Sequence, residues 1–306
     1  MGGKHQGQRD DRNMFPEAVR AVRELRPKAF IFENVKGLKR KSFESYFSYI
    51  LLQLQHPELE RRKGEKWSQH RARLEQHHTA NKSASTYNVV FDVLNAADFG
   101  VPQKRERVFI VGFRSDLGTS WSFPQATHSE DALMAAKWID GAYWDEHAIS
   151  RARRPQLIDR LNGRLKRLRS IERLIPSKRW RTVRDAISDL PDPEASAKDR
   201  IPNHVFNPGA RRYVGHTGSV LDTPAKTLKA GYHGVPGGEN MFVKDDGGVR
   251  YFTVRESARL QTFPDEYEFH GSWSQTMRQL GNAVPVKLAE IVARSVMKSL
   301  GKGGIK

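Results

Sequence analysis

The 306-residue chain contains no cysteine. This excludes disulfides, thiolate metal sites and any cysteine nucleophile supplied by the chain itself. No run of about 18 apolar residues occurs, so no segment reads as a membrane-spanning helix and no membrane partner is expected. No secretory signal opens the sequence, and the expected compartment is a prokaryotic cytoplasm or nucleoid. Acidic residues are few beside the basic ones: 35 Asp+Glu stand against 52 Lys+Arg, a formal net charge of +17. That excess favours a polyanionic partner, because Lys and Arg that contact phosphates release condensed counterions. The 38% hydrophobic content can still fill a core, and no low-complexity tract suggests disorder.

The stretch Phe30-Ile31-Phe32-Glu33-Asn34-Val35 carries the clearest signal. The apolar run from Ala29 to Phe32 reads as a strand buried on both faces, and Glu33 follows it, where open α/β sheets place their chemistry. From these residues alone Glu33 could equally cap the next helix or stay solvated. Before this strand, Pro16 fits the first turn of a helix with Ala18, Val19, Val22 and Leu25 on one face, and Asn13 could cap it. A second helix is expected over 40–55 from Phe43, Phe47, Ile50, Leu51 and Leu54. The charged stretch 56–85 reads as a solvated helix or inserted arm. Tyr87 to Leu94 reads as a strand, 95–102 as a loop, and Val108 to Phe113 as a second strand buried on both faces.

The α/β rhythm stops after Pro124. An amphipathic basic helix is expected over 151–173, its stripe being Leu157, Leu161, Leu165, Leu168 and Leu174. Short irregular runs rich in Gly, His, Thr and Pro follow Pro202, in the manner of a loop-rich small β region. Thr253 to Gln261 and Val286 to Leu300 read as closing helices.

Five blocks in order resemble the cytosine-5 DNA methyltransferase family. They are the stretch from Gly7 to Phe15, Glu33-Asn34-Val35, Gln103-Lys104-Arg105-Glu106-Arg107, the stretch from Arg255 to Pro264, and Gln279-Leu280-Gly281-Asn282-Ala283-Val284-Pro285. They look like the family's fifth, sixth, eighth, ninth and tenth blocks. The family's Gly-rich first block and its Pro-Cys-Gln block have no counterpart. Nor do they reappear at the far end, so a simple circular permutation is not expected. The chain resembles the carboxyl-terminal two-thirds of such an enzyme.

The resemblance implies an α/β fold: a partial Rossmann-like methyltransferase sheet with an inserted, largely irregular target recognition domain. Residues 1–124 and 251–306 would belong to the catalytic domain and 125–250 to recognition. It implies that Glu33 meets N3 and the exocyclic amine of a flipped cytosine, that Arg107 meets O2, and that Arg105 orients the site. S-adenosylmethionine would contact Met14 and the turn Asn282-Ala283, in an incomplete site; no metal ligand is assigned. Thr227-Leu228 resembles the recognition domain's Thr-Leu pair, with Arg211, Arg212, His233 and Asn240 as candidates to read base edges. The implied partners are double-stranded DNA and a complementing amino-terminal methyltransferase subunit carrying the nucleophile, in a restriction–modification setting. The alternatives are a non-catalytic DNA-binding module, a degenerate truncated product and, less favoured by the long recognition region, an RNA-directed relative.

Overall fold

A computed structural model describes residues 13–80, 85–171, 178–195, 201–212, 214–215, 217–230, 238–244 and 246–302. The chain packs as two compact units: Met1–Leu94 with Glu106–Pro124 and Val292–Lys306, and Asn95–Arg105 with Gln125–Ile291. These units divide the chain by packing. The assignment of 125–250 to recognition is a matter of function and not of this packing.

In the first unit α1 (Phe15–Leu25) begins with Pro in its first turn, and Asn13 Oδ1 accepts the Phe15 N–H at 3.2 Å. Arg26 stops the helix in the left-handed conformation. Val19 and Val22 are buried, whereas Leu25, expected on the same face, is 78% exposed. It occupies the last turn, one residue before the chain bends away. β1 (Ala29–Val35) and β3 (Glu106–Arg114) pair antiparallel, with Phe30 opposite Gly112 and Val35 opposite Arg107. β2 (Tyr87–Asn95) completes a three-stranded sheet in the order β1-β3-β2. The central strand β3 is buried from Arg107 to Phe113, as expected. β1 departs from expectation. It lies at the sheet edge, and alternate residues Ile31 and Val35 are exposed. An apolar run cannot by itself separate an edge strand with one covered face from a central strand.

A glycine is required at the centre of this ladder. A Cβ on Gly112 would lie 2.2 Å from the Phe30 ring, which rests directly over the glycine. Phe30 joins Val19, Val22, Phe47, Ile50, Leu54, Tyr87, Val108 and Ile110 in one core. α2 (Glu44–Gln55) supplies three of these residues at helical spacing. α3 (Trp67–Ala80) buries only His70 and Leu74, so the polar stretch does form a largely solvated helix.

The second unit is built from short elements. β4 (His128–Ser129), α4 (Glu130–Trp138) and α5 (Ala142–Glu146) lead to α6 (Asn162–Ile171). The long basic helix expected over 151–173 is not formed. Residues 151–153 and 159–161 are single 3-10 turns and only α6 is a true helix. Pro155 removes a backbone donor in mid-segment. Leu165 and Leu168 are buried as the stripe required, while Leu174 lies outside the described residues. β5 (Lys178–Arg179), α7 (Val183–Ile187), β6 (Met241–Val243) and β7 (Val249–Tyr251) follow. α8 (Val254–Leu260) and α9 (Trp273–Asn282) follow, and α10 (Val286–Lys302), which belongs to the first unit from Val292 onward, closes the chain. Capping boxes start α7, α8 and α9, at Thr182, Thr253 and Ser272. Each cap side chain accepts an N–H in the first turn while the third residue reaches back.

Candidate active site

The antiparallel register of β1 and β3 sets the first part of the site. Glu33 faces Phe109 directly, and Arg107 lies two residues along the partner strand. Residues two apart on a strand share a face, so Glu33 and Arg107 meet diagonally across the ladder. Arg107 Nε stands 2.8 Å from Glu33 Oε1. The guanidinium also donates to the Glu106 carbonyl at 2.9 Å. Arg107 is buried, and this desolvation pushes it below its ordinary value, with the Glu33 carboxylate opposing the shift. A second ion pair closes the same strand ends, Lys36 Nζ to Glu106 Oε1 at 2.7 Å. Sequence reasoning missed the pair Lys36 and Glu106, because 70 residues separate them and, although Glu106 lies in a recognised block, nothing local marks Lys36 as its partner.

Arg105 belongs to the second unit and its guanidinium is fully buried. It donates to the carbonyls of Leu228 at 2.9 Å, Gly281 at 2.7 Å and Ala283 at 2.7 Å. Three segments far apart in sequence thus converge on one side chain. Thr227 Oγ1 donates to the Lys104 carbonyl at 2.6 Å, which holds the same segment to the same strand of chain. Gly281 is needed for this approach: a Cβ there would fall 2.2 Å from the Ala230 nitrogen. Asn95, missed in the sequence, fixes the turn before Arg105. Its Oδ1 accepts the N–H groups of Ala97 and Arg105.

The remaining expected residues divide. Met14 is 65% exposed and takes no part in the core, against a purely packing role. Asn282 is exposed at the end of α9, so Gly281-Asn282 is the exit of a helix and not a helix entry turn. Ala283 presents its carbonyl to Arg105. Leu228 is core, packed with Val183, Ala225, Phe242 and Phe252, and does not face a groove. Asn240 is corrected as a base reader. It is fully buried, its Oδ1 accepting the Lys229 N–H at 3.1 Å and its Nδ2 donating to the Lys229 carbonyl at 3.0 Å. An amide held at both ends by backbone has no free edge for a base. Arg211 and Arg212 are exposed, Arg212 donating to the Gly247 carbonyl at 2.6 Å. His233 lies outside the described residues.

Asn240→Ala is therefore expected to lower stability by about 1–3 kcal/mol through the unpaired Lys229 amide groups. DNA sequence preference should stay unchanged. Denaturant unfolding beside a binding-site selection checks both. A changed preference at full stability would return Asn240 to the recognition surface.

β1 ends on Glu33-Asn34-Val35 and pairs with β3, which begins inside the block from Gln103 to Arg107. The family model for C-5 cytosine-specific DNA methylase matches residues 1–58 and 66–298, and the chain belongs to that family. Type II methyltransferase M.SacI of Streptomyces achromogenes is 30% identical over 319 residues, covering 94% of this chain and 65% of that protein. M.AplI of Arthrospira platensis is 28% identical over 305 residues, covering 98% of this chain and 65% of its own length. The chain thus spans just under two thirds of the length of these relatives. Among solved structures, a Spodoptera frugiperda DNMT2 variant aligns with TM-score 0.50 and 15% identity over 97% of this chain and 75% of its own. That likeness supports the methyltransferase fold alone. Among the described residues no helix is long and apolar enough to cross a membrane.

Proposed function

We propose that this chain is the cytosine-binding and DNA-recognising part of a DNA (cytosine-5) methyltransferase of restriction–modification type, with the nucleophilic cysteine supplied by a separate segment. The observation that supports it most is the Glu33–Arg107 pair, 2.8 Å apart on one face of the sheet, in a family member whose sequence contains no cysteine. Cytosine presents O2, N3 and the exocyclic amine along one edge. A carboxyl and a guanidinium held side by side match that edge: Glu33 accepts from the amine and, when protonated, donates to N3, while Arg107 donates to O2. Both withdraw electron density from the ring. This makes C6 open to thiolate addition and C5 nucleophilic, in a base that has left the duplex. Arg105, buried behind three carbonyls, is a positioning residue.

S-adenosylmethionine is the methyl donor used by the family. Met14 and Asn282 are exposed, and the Ala283 carbonyl is already bonded to Arg105. None of these residues by itself makes a donor site.

The test is transfer of labelled methyl groups to cytosine in duplex DNA. The chain alone is expected to be inactive, and an amino-terminal segment from a related methyltransferase, carrying Pro-Cys-Gln, is expected to restore transfer. Incorporation by the chain alone, above a Glu33→Gln control, would falsify the proposal. The absence of cysteine also favours a second reading, a DNA-binding module without chemistry; failure of every complementing segment, with DNA binding retained, selects it.

Duplex binding itself is expected to be chiefly through phosphates. Arg151, Arg160, Lys166 and Arg169 are exposed, while Arg164 is engaged by Asp131 and Glu130 and Arg154 by Asp145. If about six phosphates are contacted, affinity should fall about 10³-fold between 50 and 200 mM salt. A salt-independent affinity overturns this.

A further inference from the structure

The first unit contains a histidine cluster that the proposed chemistry does not use. His56, directly after α2, is fully buried. Its Nε2 lies 3.0 Å from Nδ1 of His78, and its ring stands edge-on to His77 with centroids 5.0 Å apart. The other ring nitrogen, Nδ1, is buried without a hydrogen-bond partner and lies 3.8 Å from Glu58 Oε1. The second Glu58 oxygen accepts the Thr86 hydroxyl at 2.7 Å. One donor atom each from His56, Glu58 and His77 fall within 4.8 Å of one another.

We propose that His56, Glu58 and His77 bind one divalent cation of zinc type, tying the end of α2 to the last turn of α3. Two imidazoles and a carboxylate are a donor set that suits zinc, with water in the fourth position. Bonds of about 2.0–2.1 Å place tetrahedral ligand atoms about 3.3 Å apart. His77 and Glu58, both partly accessible, reach that spacing by side-chain rotation. His56 is prepared for the role. If Nε2–H donates to His78, Nδ1 keeps its lone pair toward Glu58. This is the usual arrangement of a ligating histidine held by an outer partner, and Thr86 holds the carboxylate in the same way. A buried nitrogen with no partner is costly in a purely hydrogen-bonded cluster, and a cation satisfies it. His70, the buried histidine of α3, is already committed to the Tyr49 hydroxyl and the Leu59 carbonyl. The cation would also explain how a helix with two buried residues stays docked.

The experiment uses the whole chain without a histidine tag, stripped with a chelator. Zinc is titrated against a chromophoric competitor, with a thermal melt at each ratio. One equivalent should bind with micromolar affinity or better and raise the melting temperature. His77→Ala and Glu58→Gln should each weaken binding at least tenfold while melting normally without metal. Both sites are accessible enough to avoid the folding defect expected of His56→Ala. The absence of a stoichiometric tight site overturns the proposal. So does wild-type affinity in His77→Ala, because the eleven histidines of the chain would then bind zinc adventitiously elsewhere.

Discussion

Once an amino-terminal segment restores turnover, Glu33→Ala and Arg107→Ala are each expected to reduce it about 10²–10³-fold, the usual loss of one preorganised electrostatic contact. The two groups act on charge that develops during thiolate addition and is small in the bound base. The loss should therefore appear in the single-turnover rate and hardly in DNA affinity. The ion pair between them complicates the reading. Removing Glu33 leaves a buried guanidinium without its counter-charge, which costs stability as well as rate. Glu33→Gln and Arg107→Lys help separate the effects, since each leaves a polar side chain of similar size in place. They should lose less stability than the alanine variants and still lose most of the rate, because Gln cannot protonate N3 and Lys lacks the planar fork. Near-normal single-turnover rates in these two variants would remove both residues from the chemistry.

Arg105→Ala should have the largest effect on stability, about 3–5 kcal/mol. The side chain is fully buried, and its loss strands the carbonyls of Leu228, Gly281 and Ala283. Each stranded acceptor forfeits about 1–3 kcal/mol, and the vacated volume adds a packing loss. Against a typical domain stability of about 5–15 kcal/mol, the second unit would be near its unfolding midpoint at physiological temperature. Equilibrium unfolding in urea, followed by tryptophan fluorescence, measures this. Trp138, Trp144, Trp180 and Trp273 all belong to that unit. A midpoint within error of the parent would show that backbone rearrangement satisfies the three carbonyls. Arg105→Lys tests the geometry, since one ammonium cannot reproduce the guanidinium fork and should recover only part of the loss.

Local signals in the chain were strong where one element satisfies its own requirements. Pro16 with Val19 and Val22 specified α1, the stretch Thr253 to Gln261 specified α8, and the unbroken run Val108 to Phe113 specified a strand covered on both faces. The basic segment 151–173 failed as a single helix because leucine spacing says where a stripe would lie, not whether the backbone around Pro155 can carry it.

The sequence by itself determined the charge of the protein, the absence of its own thiol nucleophile, and the ordered blocks that place it in its family. Tertiary structure alone decided which polar residues are available. Asn240 and Arg105 read as functional groups of the same general kind as Arg211, yet the fold buries both against backbone carbonyls and amides and leaves Arg211 in water. Glu33 and Arg107 stand 74 positions apart, and only the antiparallel register of β1 and β3 brings them within one hydrogen bond. The physical reason is that a strand's side-chain period fixes which face a residue takes, whereas its partner is fixed by pairing energies summed over a whole ladder, which no local window of sequence contains.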